Sequence, residues 1–342
     1  MMMKRVINQI SPVGIRALGI RALSLSSSSS SRLGFVFDID GVLLRGKTPL
    51  PHARASLERL NAAHVPWILL TNGGGETEAA KSAALTKLIG VFIDERQVIL
   101  SHTPMRPLCA SLGASKVLIL GCRNVPGVAQ AYGLSNALTA MDVLADDPHA
   151  YPFLPAPPLA RFSESLRSSP WAAVLVLHDP NNWGLEVQVA IDVLRGGAAG
   201  TSQTVPMFCS NGDLTFAGAH AVPRLAAGAF SVALKATWAA TMGASVSPLH
   251  STFFGKPEKA QFDFAESHLR EWAGGSRDTK FAKIVMVGDN PAADIRGANA
   301  AGENWTSVLV RTGLWKGGAN DSVDKAALVV DGVRDAVEAF LA

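Results

Sequence analysis

Two aspartates one residue apart, Asp38 and Asp40, stand directly after the apolar run Leu33-Gly34-Phe35-Val36-Phe37. On an extended chain, side chains at i and i+2 share a face. Carboxylates held that close repel unless a cation lies between them. Mg2+, which favours oxygen ligands and keeps some of its waters, is the natural one. Gly41 then permits a tight turn. A second acidic pair, Asp289 and Asp294, follows the apolar run Ile284-Val285-Met286-Val287. An acid in the first turn of a helix is sufficient reason for Asp294 through the helix dipole alone, but that reason does not reach Asp289. Thr71-Asn72-Gly73-Gly74-Gly75 follows Ile68-Leu69-Leu70. Its hydroxyl and exposed amides suit an anion, although an ordinary glycine-rich turn has the same form. In Gly255-Lys256-Pro257 the proline holds Lys256 extended, where its ammonium would neutralise a phosphate and the clustered carboxylates. A lysine taken alone is more often solvated surface.

Each cluster needs an element to position it. The run before Asp38 is short, apolar and aromatic, as a buried parallel strand is. Strands are expected at Leu33–Asp38, Val65–Thr71, Ser115–Gly121, Trp171–Leu177, Ala282–Val287 and Thr306–Val310, with a strand end at Phe208. Helices are expected at His52–Ala63, Glu76–Ile89, Glu186–Leu194, Ala221–Met242 and Ala293–Ala301. This alternation predicts an α/β fold with right-handed crossovers. In open parallel sheets ligands bind beyond the carboxyl ends of the strands, where these clusters fall. Four prolines between His149 and Pro158 rule out a regular element and predict a long surface loop.

Composition narrows the field. The chain has 342 residues, which predicts about two domains. Hydrophobic residues make up 48% and charged residues 17%, the balance of a chain with large buried surfaces. The apolar stretch Leu225–Val246 has Lys235 in its middle and reads as a core helix, so no transmembrane segment is expected. Three cysteines, Cys109, Cys122 and Cys209, have long spacings and no CxxC. They are expected to be small buried hydrophobes in a reducing compartment. The net charge of +3 is carried by the N-terminus: residues 1–32 hold Lys4, Arg5, Arg16, Arg21 and Arg32 and no acid. Nothing calls for a nucleic-acid partner. Residues 1–31, basic, acid-free and with a serine run from Ser26 to Ser31, have the composition of a mitochondrial transit peptide, the plastid being the alternative address.

Read in order, DIDGV, LLTN, GKP and GDNPAAD resemble the four motifs of the haloacid dehalogenase-like (HAD) superfamily, and the resemblance covers essentially everything after Arg32. It implies a Rossmann-like core with a parallel sheet. It also implies a Mg2+-dependent phosphatase with Asp38 as nucleophile and Asp40 as acid/base. Thr71 and Lys256 would hold the phosphoryl oxygens, with Asn72, Gly73 and Asn211 lining the phosphate site. Asp38, the Asp40 carbonyl and Asp289 would ligate Mg2+, and Asp294 would orient Lys256 or a metal water. The 185 residues from Thr71 to Lys256 exceed what simple crossovers need. They imply an inserted α/β cap at 104–205, with core at 32–103 and 206–342, as in the class IIA branch. Cys209-Ser210-Asn211-Gly212-Asp213 resembles the Asn-x-Asp that follows that cap. Val98 to Met105, Gly288 to Asn299 and Arg311-Thr312-Gly313-Leu314-Trp315 resemble the cat-eye-syndrome-critical-region-protein-5-like family more narrowly. Its members are commonly mitochondrial, and a fungal fusion hints at glycerophospholipid metabolism. A small phosphate ester is the implied partner, and a homodimer through the cap is an analogy with that branch.

Asp179 and Trp183 follow a cap strand and are candidates to contact substrate, although a capping turn would use them equally well. His102 is expected to be a hydrogen-bonded structural histidine near the core-to-cap junction. A competing reading is a binding or regulatory protein on the same fold, which the nucleophile-plus-acid set of Asp38 and Asp40 disfavours. Dehalogenation does not require Asp40. A phosphomutase would pass the phosphoryl group to a second hydroxyl instead of water. A dinucleotide-binding enzyme is excluded by the absence of GxGxxG after the first strand.

Overall fold

The computed structural model describes residues 32–155, 163–197, 200–216, 220, 222–243, 246–275 and 279–341. The transit-peptide reading and the Ala156-Pro157-Pro158 end of the proline loop therefore lie outside the described residues. In chain order the elements used below are β1 (Arg32–Phe37), α1 (Ala53–Ala62), β2 (Trp67–Leu70), α2 (Glu78–Ile89), β3 (Val98–Ile99), α3 (Arg106–Leu112), β4 (Lys116–Leu120), α4 (Val125–Ala131), β5 (Ala137–Leu138), α5 (Ala140–Asp146), β6 (Trp171–Val176), α6 (Trp183–Leu194), β7 (Met207–Cys209), α7 (Ala227–Met242), β8 (Thr252–Phe253), α8 (Lys259–Trp272), β9 (Phe281–Gly288), α9 (Arg296–Ala301), β10 (Trp305–Val310), β11 (Leu328–Val330) and α10 (Val333–Glu338).

The strands form two parallel sheets. The first has order β11-β10-β9-β1-β2-β3 and the second β8-β7-β6-β4-β5. Alternation along the strands divides the first sheet's side chains between two cores. Phe35, Phe37, Leu69, Val285 and Val287 pack on one face with Leu57, Leu60 and Val337 of α1 and α10. Val36, Ile68, Leu70, Ile284 and Met286 pack on the other with Phe262, Ala265 and Leu269 of α8. The second sheet is covered in the same way, by α5, α6 and α7 on one face and α3 and α4 on the other. Strands buried on both faces have to be continuous apolar runs, which is why these were readable from sequence.

Three expectations need correction. The boundary at residue 206 cuts through the second sheet, because β7 and β8 pair within it. That sheet therefore takes chain as far as Phe253, beyond the 104–205 span assigned to the cap. Helix α7 begins at Ala227 instead of Ala221, because Arg224–Leu225 pairs with Thr215–Phe216 as a short antiparallel hairpin. The stretch expected to be helical from Ala293 opens with a π-helical turn, Pro291–Ile295, before α9. Helix α7 buries Phe230, Leu234 and Trp238, and among the described residues no helix is long and apolar enough to cross a membrane. Cys109 and Cys209 are buried, but Cys122 is only half-buried.

Candidate active site

Asp38 follows β1, Thr71 follows β2 and Asp289 follows β9, so neighbouring strands of the first sheet deliver all three at one edge. Lys256 arrives from the other sheet, three residues beyond β8. It is 3% exposed, and its three ammonium protons are used. Nζ donates to Asp38 Oδ1 at 2.6 Å, to Asp294 Oδ1 at 2.6 Å and to the Leu70 carbonyl at 2.9 Å. Burial alone would lower the Lys256 pKa, but Asp294 and Asp38 outweigh it and keep the pKa raised.

Asp294 is fully occupied. Its Oδ1 takes Lys256, and its Oδ2 accepts from the amides of Asp289 and Asn290 at 3.1 and 3.0 Å. The acids of Asp38, Asp289 and Asp294 lie within 4.8 Å of one another. They outnumber the single buried cation among them, and burial first, then their mutual repulsion, raises the pKa of Asp38 and pushes that of Asp289 up to about 7. A hard cation with oxygen preference fits this set, and Asp38 and Asp289 have the free oxygens to meet it.

Backbone without side chains makes room for Asp289. Its Oδ2 accepts from the Leu314 amide at 2.6 Å. A Cβ on Gly313 would sit 1.8 Å from that oxygen, and one on Gly41 would sit 2.2 Å away. The Asp294 carboxyl crowds Gly288 in the same way, at 2.3 Å.

Asp40 is exposed at the mouth of the site. Flanking protein still desolvates its carboxyl enough to raise the pKa, against the opposing fields of Lys81, Lys256 and Arg123. Neither Lys81 nor Arg123 belongs to a motif, and sequence reading missed both.

The remaining candidates divide. Thr71 is buried, and its hydroxyl accepts from the Gly73 amide at 3.0 Å. Asn72 does not present its side chain to a ligand. Nδ2 donates to Asp213 Oδ2 and to the Lys256 carbonyl, and Oδ1 accepts from the Lys256 amide at 2.8 Å. Asn211 is similarly engaged, donating to the Asn72 carbonyl and accepting from the Asp213 amide. Both side chains are clasps between loops. Asp179 Oδ1 accepts from the Ala227 amide at the start of α7. Trp183 donates to the Pro180 carbonyl and packs edge-on against Phe230.

His102 is wholly buried, and its Nδ1 lies 2.8 Å from the Tyr132 hydroxyl. That hydroxyl gives its own proton to Glu78 Oε1, so Nδ1 must donate. Glu78 also accepts from Thr103 and Arg106. This knot ties α2 to the start of the second sheet's chain.

Family models described as haloacid dehalogenase-like hydrolase and HAD-hydrolase-like match residues 35–135 and 253–336. A mitochondrial hydrolase of Saccharomyces cerevisiae is 33% identical over 91% of this chain and 96% of its own. A cardiolipin synthase (CMP-forming)/mitochondrial hydrolase fusion protein of Schizosaccharomyces pombe is 35% identical over 87% of this chain, which spans about half (52%) of that relative. A glycerol-3-phosphate phosphatase of Gallus gallus is 28% identical over 82% of this chain and 79% of its own. Among solved structures, a hypothetical protein of Pyrococcus horikoshii superposes with a TM-score of 0.65 at 22% identity, over 90% of this chain and 99% of that one. The glycerol phosphate phosphatase of Mycobacterium tuberculosis in complex with magnesium gives 0.61 at 19%, over 90% and 76%.

Proposed function

Because this chain belongs to the haloacid dehalogenase-like hydrolases, we propose that it is a Mg2+-dependent phosphatase of small phosphomonoesters, working through an aspartyl-phosphate on Asp38. The observation that carries the reading is the placement of a buried nucleophile candidate, Asp38, against the Lys256 ammonium at 2.6 Å, with a second acid, Asp40, at the solvent side.

In this reading an Asp38 carboxylate oxygen attacks phosphorus and the bond from phosphorus to the leaving oxygen breaks. Asp40 gives that oxygen a proton. Asp40 then takes a proton from water as the water oxygen attacks the aspartyl-phosphate, which releases phosphate and restores Asp38. Splitting one displacement into two is the gain from the nucleophile. The raised pKa of Asp40 suits it to hold the proton that the first step needs. Lys256 would exchange one of its present acceptors for a phosphoryl oxygen, and Thr71 would offer its hydroxyl beside it. Asp294 keeps Lys256 charged and aimed. Mg2+, held by Asp38, Asp289 and the Asp40 carbonyl, would neutralise phosphoryl charge, which is most of what phosphoryl transfer requires.

The fungal relatives' names and the composition of residues 1–31 support a mitochondrial site of action. The glycerol-3-phosphate phosphatase and the fusion to a cardiolipin synthase support a glycerophosphate-type substrate. The test is phosphate release from a broad phosphomonoester panel with Mg2+ and with EDTA, beside Asp38→Asn. Metal-dependent release lost in the near-isosteric variant is expected. Release that survives Asp38→Asn would overturn the mechanism.

A further inference from the structure

Two cations stand beside the glycine loop that follows Thr71, with no task in the chemistry above. Lys81 lies early in α2, and Arg123 lies in the loop between β4 and α4. Both reach the same oxygen: Glu76 Oε1 is 3.5 Å from Lys81 Nζ and 3.6 Å from Arg123 Nη1. These contacts are longer than good hydrogen bonds. Glu76 is thus shared between the two cations.

The second sheet's loop is fastened to the glycine loop after Thr71. Arg123 Nη1 donates to the Gly74 carbonyl at 3.3 Å, and the Asn124 amide donates to the Gly75 carbonyl at 2.9 Å. Arg123 has a φ of 63°, the left-handed region that residues with a Cβ avoid. Such an outlier persists only where its surroundings over-determine it, and it is a pointer to function. Arg123 carries a half-exposed guanidinium that shares Glu76 with Lys81. Arg123 is fastened to the Gly74 carbonyl and Lys81 shares Glu76 with it, so both cations stand beside the glycine loop whose Gly73 amide bonds the Thr71 hydroxyl.

We propose that Lys81 and Arg123 form a subsite for a second anionic group, so that the preferred substrates are phosphomonoesters whose leaving group carries a carboxylate or another phosphate. The proposal rests on the phosphatase reading above and narrows its substrate class. The planar fork of Arg123 suits either anion bidentately, while Lys81 supplies a point charge. Glu76 holds the two cations together when no substrate is bound, and its long contacts are readily exchanged for a ligand's oxygens.

The test compares three substrates on wild type, Arg123→Ala and Lys81→Met. Glycerol 3-phosphate has a neutral tail, 3-phosphoglycerate a carboxylate and propane-1,3-diol bisphosphate a phosphate. Wild type should prefer one or both of the charged-tail substrates, and which of them responds identifies the anion. Each variant should raise KM for the preferred substrate about tenfold more than KM for glycerol 3-phosphate, the scale of a lost hydrogen bond to a charged group, with any change in kcat common to all three substrates. No preference in wild type, or an equal loss on all three substrates, would overturn the subsite. The latter result would mean that Arg123 acts only by holding the Gly74 carbonyl. If wild type releases phosphate from none of them, the phosphatase reading fails and calorimetric affinity decides the subsite. Tighter binding of 3-phosphoglycerate than of glycerol 3-phosphate, lost in Arg123→Ala, supports it, and equal affinities overturn it.

Discussion

Gly313→Ala adds one methyl group against the Asp289 carboxylate, and its effect should fall almost wholly on Asp289. The new Cβ would lie 1.8 Å from Asp289 Oδ2 and 2.4 Å from its Cγ. Ordinary contact begins near 3.4 Å, so the carboxylate has to retreat by more than an ångström. Retreat also breaks the 2.6 Å bond from the Leu314 amide, a charge-assisted bond of about 1.5–3 kcal/mol. The backbone does not confuse the result, because Gly313 lacks the positive φ that Gly41 has. An ångström of misplacement at a reacting centre costs about 100-fold in rate, while overpacking costs about 1–3 kcal/mol in stability. Phosphate release, Mg2+ affinity by calorimetry and urea unfolding should be measured together. A fall of about 100-fold in rate and a weakened metal affinity in a folded protein are expected. Wild-type rate and metal affinity in Gly313→Ala would refute the claim that this glycine exists to seat Asp289.

Three further outcomes follow from buried polar groups. Lys256→Met leaves Asp38 and Asp294 without their shared cation and should cost about 3–5 kcal/mol at neutral pH, read by urea unfolding; no loss would deny the ammonium its structural role. Asn72→Ala removes the clasp on Lys256 and Asp213 and should lower the unfolding midpoint by the worth of two or three hydrogen bonds, about 1–3 kcal/mol, with an unchanged midpoint as the contrary result. Burial lowers the pKa of His102 and of His178 to about 4 each, Glu78 partly opposing this at His102 and Arg123 and Lys81 reinforcing it at His178. Unfolded histidine titrates near 6.5, so below that pH the unfolded chain binds protons that the fold refuses, and stability falls as pH drops from about 6.5 toward 4. Between pH 7 and 5 each histidine should account for about 2 kcal/mol of that loss, and His178→Asn should flatten the dependence; an identical slope would contradict the assignment.

The parts of this molecule that were legible in its sequence share a physical cause. A parallel strand covered on both faces has to be apolar throughout, so β1, β2, β6 and β9 stood out, and the acids at their ends stood out against them. Sheet membership is different in kind. Nothing within Met207–Cys209 or Thr252–Phe253 says which strand is its neighbour, so the boundary at 206 was misplaced. Asn72 and Asn211 have the residue types of ligands, and their actual partners lie far along the chain, at Lys256 and across to Asn72 itself. Lys81 and Arg123 look like ordinary helix and loop cations until Glu76 and Asp40 are seen beside them. Gly313 was noticed for its resemblance to relatives, yet its reason is the oxygen that occupies the place of its missing side chain.

The pairing of Lys256 with Asp38 spans 218 positions of chain, and the amide that steadies Asp289 comes later still, at Leu314. Contacts of such separation form only after the intervening chain has found its place. A partly synthesised chain, or one with either sheet unmade, would hold the aspartates but no organised charge around them. Turnover would therefore serve as a gauge of complete folding: it should appear in refolding experiments only with the slowest structural phase, after fluorescence and helical signals have already recovered.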